Sequence, residues 1–356
     1  MNKSFVQKIG LPRLIIGLFL LALFVAAPLA GISLADSVEN VLARFGMFSI
    51  LVLSLIPMVQ SGCGLNFGIP IGIVAGILGG VTSMEFGLKG FGGIAVAMLI
   101  AAAIAVVFGF GYGVLLNKIK GDEMLIATYV GYSFTAFMCI IYLILPYKNP
   151  VSVLSYAGRG LSQQVPVAQY WMKNLVDAEG TRSSVGILTD FLSFRIAGVR
   201  IPVGMFLVFA FFAFLVWAFF RTKTGTAMTA VGSNPDYAKA GGIEIDRMRL
   251  FSVILSTVIA AVGIIVYQQS YGFIQLYQAP LAFTFQTVAA LLIGGASINK
   301  ASIPNVIIGT FLFQGIITLT PTVINGALNI DISEILRLII TNGMIVYALT
   351  RRNRNE

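Results

Sequence analysis

The residues able to do chemistry are few, and what is missing narrows the reading as much as what is there. No histidine occurs in the 356 residues, which removes the commonest proton shuttle and metal ligand and with it any Ser-His-Asp set. No G-x-x-x-x-G-K-[ST] phosphate loop is present. Cys63 and Cys139 both lie in apolar surroundings, which argues against a disulfide framework. The acids Glu85, Asp122, Glu123, Asp331 and Glu334 fall at the ends of apolar runs, where water reaches them. A proton-coupled carrier more often keeps an ionisable residue in mid-membrane, and none stands there. The chain is therefore expected to hold no catalytic residue, no metal and no cofactor of its own.

What the apolar runs do contain is uncharged polar side chains: Gln60, Ser61, Asn66, Tyr132, Gln268, Gln269, Gln286, Thr287, Gln314, Thr318 and Thr320. For any one of them, hydrogen bonding between helices, worth about 0.6–2 kcal/mol, is reason enough to be there. As a set they suit a path for a neutral, hydroxyl-rich solute, which needs donors and acceptors without net charge. Gln60, Asn66, Phe67, Gln286 and Gln314 are the candidate path residues. Phe67, Tyr267, Tyr271, Phe273 and Tyr277 offer stacking surface, although packing in lipid explains them equally well.

Such residues must be positioned by helices in a bilayer. The chain is 58% hydrophobic and 10% charged with a mean hydropathy of +0.92, against about 25% charged residues in a soluble protein. Apolar runs fall at roughly 14–34, 45–61, 68–84, 91–117, 124–146, 201–220, 250–270, 282–297, 303–323 and 332–350. The first follows Lys3, Lys8 and Arg13 and is about 20 residues long, beyond the roughly 7–15 of a signal-peptide core, so it is taken as a retained helix. Lys118 and Lys120, Arg221 and Lys223, and Arg351, Arg352 and Arg354 all share the side of the N-terminus if ten runs span. Positive charge marks the cytoplasmic face. The net charge of +9 is accounted for by that asymmetry, and no basic, aromatic-interleaved face points to nucleic acid. The expected fold is an all-α polytopic membrane protein, residues 1–356 as one domain. It has about ten transmembrane helices, two Gly/Pro-broken segments and cytoplasmic termini.

The breaks are "VQSGCGLNFGIPIG" at 59–72 and "IGGASINKASIP" at 293–304, each with an Asn shortly before Ile-Pro: Asn66 and Asn299. Interrupted apolar segments at corresponding places in two halves point to a transporter's binding site. Residues 147–200 fall outside the cell. "AQYWMKNLVDAEGTRSS" suggests a surface helix there, with Tyr170 and Trp171 as interfacial anchors or part of a docking surface. Residues 221–249 form a polar loop inside the cell. Within it Asn234 can cap a short helix that begins at Pro235 and ends at Gly241-Gly242.

That loop, "RTKTGTAMTAVGSNPDYAKAGGIEIDRMR", resembles the cytoplasmic loop of permease subunits from bacterial ABC importers of the branched-chain amino acid/ribose type. Their pattern is R-T-x-x-G-x-x-x-x-A-V-G-x-N-P-x-A-A-x-x-A-G-I. Arg221, Thr222, Gly225, Ala230, Val231, Gly232, Asn234, Pro235, Ala238, Gly242 and Ile243 match it, while Tyr237 and Gly241 replace Ala. "VAALLIGGASINKASIPNVIIGTFLFQGI" resembles the family's second hallmark, a Gly-Gly-x-Ser turn before a Gly-rich span. Where sugar permeases tend to have Asp-Leu-Ser-Val-Gly, this chain has "LNFGIPIG", with Asn66 near the place of the acid. The likeness runs from about residue 45 and is strongest from 201 to 320. The long outer segment and the Asn-Pro-Asp helix lean towards the nucleoside-transporting branch.

The resemblance implies that Asn234, Pro235, Asp236, Tyr237, Ala240, Gly241 and Gly242 dock on a separate cytoplasmic ATPase subunit, which holds the ATP and Mg. It implies a second permease chain, identical or similar, and a lipid-embedded pair in the bacterial cytoplasmic membrane. An extracytoplasmic solute-binding protein would dock on 147–200 and the 271–281 turn. The cargo would be a sugar or nucleoside, moved by alternating access. An ion-coupled secondary transporter is the competing expectation.

Overall fold

The computed structural model describes residues 11–119, 121–154, 160–176, 182–328 and 332–350. Lys3, Lys8, Lys120, Arg351, Arg352 and Arg354, which orient the chain by charge, lie outside them, as does the acid Asp331. Each apolar run carries a helix: α1 (Leu11–Leu29), α2 (Leu34–Leu53) with α3 (Ile56–Gln60), α4 (Ile69–Glu85), α5 (Gly90–Lys118) and α6 (Glu123–Ile144). After the long connection 145–202 come α9 (Val203–Phe220), α10 (Lys223–Ser233), α11 (Pro235–Ala240) and α12 (Ile245–Tyr271). The chain continues through α13 (Ala279–Ile293), α14 (Ile303–Leu328) and α15 (Ser333–Thr350). Among the described residues six helical stretches are long and apolar enough to cross a membrane, and three apolar helices are shorter. Helix α2 begins well before the expected run. Ser33 caps it by accepting from the Asp36 N–H, and Asp36 favours the positive end of the helix dipole.

Helix α4 lies at the centre, packed against α5, α12 and α6 and buried over almost its whole length. Close approach is what its small residues allow: a Cβ on Gly79 would sit 2.6 Å from the Ala101 nitrogen of α5. Helices α2 and α12 are likewise mostly buried. By contrast α1, α5, α6 and α9 turn outward such side chains as Leu21, Leu99, Phe110, Ile144 and Phe211, an apolar surface suited to hydrocarbon rather than water.

Residues 147–200 depart from expectation. Instead of a surface helix, "AQYW" makes only the four-residue α7 (Ala168–Trp171), and the chain then runs as β2 (Met172–Val176) antiparallel to β3 (Arg182–Gly186). Trp171 is not an interfacial anchor. It is 0% exposed, with its ring against Gly80 of α4 and Gly93 of α5. Burying that ring fixes the end of α7, and strand pairing across the hairpin overrides the helix propensity of the following residues. Tyr170 is half-buried, its hydroxyl accepting from Asn149 Nδ2 at 2.8 Å. A short helix α8 (Ile187–Asp190) follows, then β4 (Phe194–Ile196) and β5 (Val199–Ile201), joined by Ala197 and Gly198 at φ 50° and 84°. Two positive-φ residues are what a two-residue hairpin turn requires. Strand β1 (Gln164–Pro166) pairs with β6 (Phe273–Gln275) after α12, so this segment and the 271–281 turn form one surface.

The polar stretch 221–249 is not a loop either. Thr222 caps α10 by accepting from the Gly225 N–H at 3.2 Å, and Met228 and Val231, three residues apart, form its buried stripe. The Thr, Gly and Ser residues around them conceal that stripe in the sequence.

Candidate functional site

The short helix expected at 235–240 is present with both ends closed. Asn234 Oδ1 accepts from the Tyr237 N–H at 3.0 Å, and Pro235 fills the first helical position, where no N–H is needed. At the other end the Ile243 N–H reaches the Ala238 carbonyl and the Gly242 N–H the Lys239 carbonyl, both at 3.0 Å. That double closure needs a left-handed residue, and Gly242 supplies it at φ 79°. Ala238 is the helix's buried anchor, while Pro235, Asp236, Tyr237 and Ala240 point outward. Tyr237 is 77% exposed, a large aromatic held out on a locked six-residue helix.

Behind that helix α10 rests on the first break. Gly232 lies against the turn that follows α3: a Cβ added to it would stand 2.8 Å from both the Gln60 carbonyl carbon and the Gly62 nitrogen. The turn is held from several sides. Gln60 Nε2 donates to the Ala301 carbonyl at 2.5 Å, so the two breaks, far apart in sequence, meet in space. Ser61 Oγ donates to Ser252 Oγ of α12 at 2.7 Å. Nearby, Arg249 of α12 and Glu123 at the start of α6 form a largely buried ion pair.

Both side-chain polar atoms of Asn66 are bonded. Its Nδ2 donates to Ser256 Oγ at 2.9 Å, and its Oδ1 accepts from the Gly68 N–H at 2.9 Å and the Tyr112 hydroxyl at 3.1 Å. Asn299, its counterpart before the second Ile-Pro, is exposed; the comparable work there is done by Asn305, which donates to the Gly294 carbonyl at 2.7 Å and accepts from the Ser302 N–H. Phe67 meets Phe285 edge-on, with ring centroids 5.8 Å apart. Gln286 is half-buried, next in sequence to Phe285, and Gln314 is buried on α14, which packs along α13.

Several polar atoms on these last helices are buried with no protein partner among the described residues: Gln268 Oε1 on α12, Thr284 Oγ1 on α13, and Thr310 Oγ1, Gln314 Nε2 and Thr320 Oγ1 on α14. Gln269 and Thr287 are by contrast bonded, to Leu188 N–H and Val266 carbonyl in one case and to the carbonyls of Phe283 and Thr284 in the other. Tyr267 and Tyr271 stack, and Tyr267 meets Phe283 and Phe48, which in turn stack on each other. The sequence reading did not single out Phe48, Phe283, Thr284, Thr310, Tyr112 or the Arg249–Glu123 pair. Nothing local marks them, because their partners come from other helices.

The family model described as the branched-chain amino acid transport system / permease component matches residues 37–349. A permease of the autoinducer 2 import system, LsrC of Yersinia pestis (strain Pestoides F), is 28% identical over 140 residues, 39% of this chain and 38% of that protein. The probable ABC transporter permease YphD of Escherichia coli (strain K12) is 28% identical over 160 residues, 45% of this chain and 46% of that protein. The chain thus spans less than half the length of these relatives in the aligned regions. A solved chain described as an inward-facing metal-chelate type ABC transporter superposes with a TM-score of 0.50 at 12% identity, over 98% of this chain and all of that one. That likeness concerns the fold alone.

Proposed function

The chain belongs to this permease-component family, and from that premise we propose that it lines the translocation path of an ABC importer for a small neutral solute, a sugar or nucleoside. It is a transport component and not an enzyme. The observation that carries the coupling reading is the closed helix α11, which holds Asp236 and a 77% exposed Tyr237 outward from one end of the helical bundle. A helix so fixed at both termini, with its largest side chain uncovered, suits a groove on a partner subunit. That partner is a cytoplasmic ATPase holding ATP and Mg, contacted through Asn234, Pro235, Asp236, Tyr237, Ala240, Gly241 and Gly242.

In this arrangement ten segments cross the bacterial cytoplasmic membrane with both termini inside, residues 221–249 inside and residues 147–200 outside. A solute-binding protein docks on the outer surface built by β1, β6 and their flanks, and a second permease chain completes the path. Gln286, Gln314 and Phe67 contact the solute, while Gln60 and Asn66 shape the inner end. The partnerless polar atoms on α12, α13 and α14 support a cargo with hydroxyl or amide groups, because a neutral solute passing there would complete hydrogen bonds the protein leaves open. The relatives named for import support the inward direction.

The test is a gentle detergent purification of the tagged chain from its native membrane, with mass spectrometry of what accompanies it. An ATPase subunit in near-equal amount is the expected result. The chain alone, even after cross-linking, would sink the importer reading in favour of an ion-coupled carrier.

A further inference from the structure

We propose that Gly232 and Gly62 form a backbone-on-backbone contact through which the α10–α11 segment moves the Gln60–Gly64 turn, and that the Gln60–Ala301 hydrogen bond is the latch this movement opens. The inference rests on the ATPase-coupling reading of α11 and names what lies between that helix and the path.

The contact has no soft layer. A Cβ on Gly62 would stand 3.1 Å from Gly232 Cα, and one on Gly232 would stand 2.8 Å from Gly62 N, so main chain meets main chain in both directions. Flexible side chains absorb a small displacement by changing rotamer; two apposed glycines have none, and a shift of α10 passes to the turn undiminished. Gly62 also adopts φ 75°, a conformation that side chains oppose, so the turn's shape depends on glycine there for a second reason.

The turn belongs to a unit that can move. Helix α3 is only five residues long and is separated from α2 by a joint at Ser54-Leu55, where Leu55 N–H tightens onto the Val52 carbonyl and Pro57 beyond has no N–H with which to continue the ladder. On its far side the chain is fixed at Asn66, bonded to Ser256 of α12 and Tyr112 of α5. Residues 56–64 therefore form a short lever between a joint and an anchor. What the lever carries is Gln60, whose Nε2 bonds the Ala301 carbonyl of the second break at 2.5 Å. Rotating α3 parts that bond and separates the two breaks. Gln60 is thus a positioning residue that holds one end of the path closed, and Gly232 is the residue that transmits the motion.

The experiment uses the assembled complex with its ATPase subunits in detergent, in a Cys139→Ser background so that Cys63, buried within the turn, is the single thiol of this chain, its labelling read on the separated chain. The readouts are ATP hydrolysis and the rate at which a methanethiosulfonate reagent labels Cys63, with and without ATP plus vanadate. The parent is expected to show at least a roughly fivefold change in labelling between the two states. Gly232→Ala should abolish that change while hydrolysis continues. Gly111→Ala on α5, whose Cβ meets nothing within 4 Å, should keep it. Gln60→Ala, which deletes the latch and leaves the glycines alone, should label at the faster rate in both states.

Equal labelling of the parent in both states overturns the lever, and a normal change in Gly232→Ala overturns the relay. Should Gly232→Ala fail to assemble, Gln60→Ala decides, since parent-like labelling there removes the latch. An ATPase that never accompanies the parent chain is a different failure. It removes the coupling reading itself, and the relay with it.

Discussion

The two breaks look alike in sequence and are built on different principles. In the first, every polar group of Asn66 is bonded within the protein, to Ser256, Gly68 and Tyr112, and Ser61 is bonded to Ser252. Across α13 and α14, on either side of the second break, Thr284, Thr310, Gln314 and Thr320 each bury a polar atom without a partner among the described residues. A satisfied network holds main chain in place, whereas an unsatisfied buried donor or acceptor is costly unless something else completes it. The first break is therefore frame, and the helices around the second carry the open polar atoms that the proposed path assigns to a solute.

The largest effect should come from attacking the frame. Asn66→Leu leaves the Gly68 N–H, the Tyr112 hydroxyl and Ser256 without their partner, at about 1–3 kcal/mol for each buried group so stranded. Against a total stability of about 5–15 kcal/mol, most of the folded yield should be lost, as read by size-exclusion profile and thermal unfolding in detergent. Asn299→Leu, at the exposed counterpart, should leave both unchanged. Parent-like unfolding of Asn66→Leu would erase the distinction between the breaks.

Asp236→Lys tests the region that belongs to neither. The side chain is exposed on α11, so the fold should lose no more than about 1 kcal/mol from placing a cation at a helix N-terminus. Stimulation of the ATPase by this chain should nevertheless fall about tenfold, equivalent to about 1.4 kcal/mol of lost contact. Unchanged stimulation in a well-folded variant would remove α11 from the ATPase interface.

How much of this the sequence disclosed depends on how local each cause is. The helices were legible because a run of about 20 apolar residues has few other uses. Helix α11 was legible because Asn234, Pro235, Gly241 and Gly242 act on their immediate neighbours. Helix α10 was not, since its stripe is only Met228 and Val231 among threonines and glycines. The outer hairpin was missed because strand β2 is decided by a partner strand and by the burial of Trp171 under α4 and α5. Asn66 stood out in the sequence for its position before Ile-Pro, but what it does depends on Tyr112 and Ser256, 46 and 190 residues away.

Gln314→Leu addresses the open region. It replaces an amide whose Nε2 has no partner with an apolar group of similar size, so thermal stability should hold or rise. Its cost should appear only in transport, as a KM for uptake of the cargo raised by about three- to tenfold, roughly one hydrogen bond to a neutral solute. Lower stability with an unchanged KM would assign Gln314 to packing and shift the path elsewhere.

The smallest effects come from the sharpest version of the comparison, two threonines one turn apart on α13. Thr287 Oγ1 donates back to the carbonyls of Phe283 and Thr284, so its hydroxyl is spent within its own helix. Thr284 Oγ1 is buried with no partner. Thr287→Val removes a bond whose acceptors are already engaged in the helix, a change of about 0.5–1.5 kcal/mol at most, and should leave the KM within about twofold. Thr284→Val removes a hydroxyl that contributes nothing to the resting fold. Stability should be kept or slightly improved, and the KM raised by about twofold to threefold if the solute is what the hydroxyl awaits. The same substitution at neighbouring sites thus separates the two readings of a buried polar residue: a stability change without a transport change marks frame, and the reverse marks path. If both threonines behaved like Thr287, the open hydrogen bonds around the second break would belong to contacts with the second permease chain and not to the cargo.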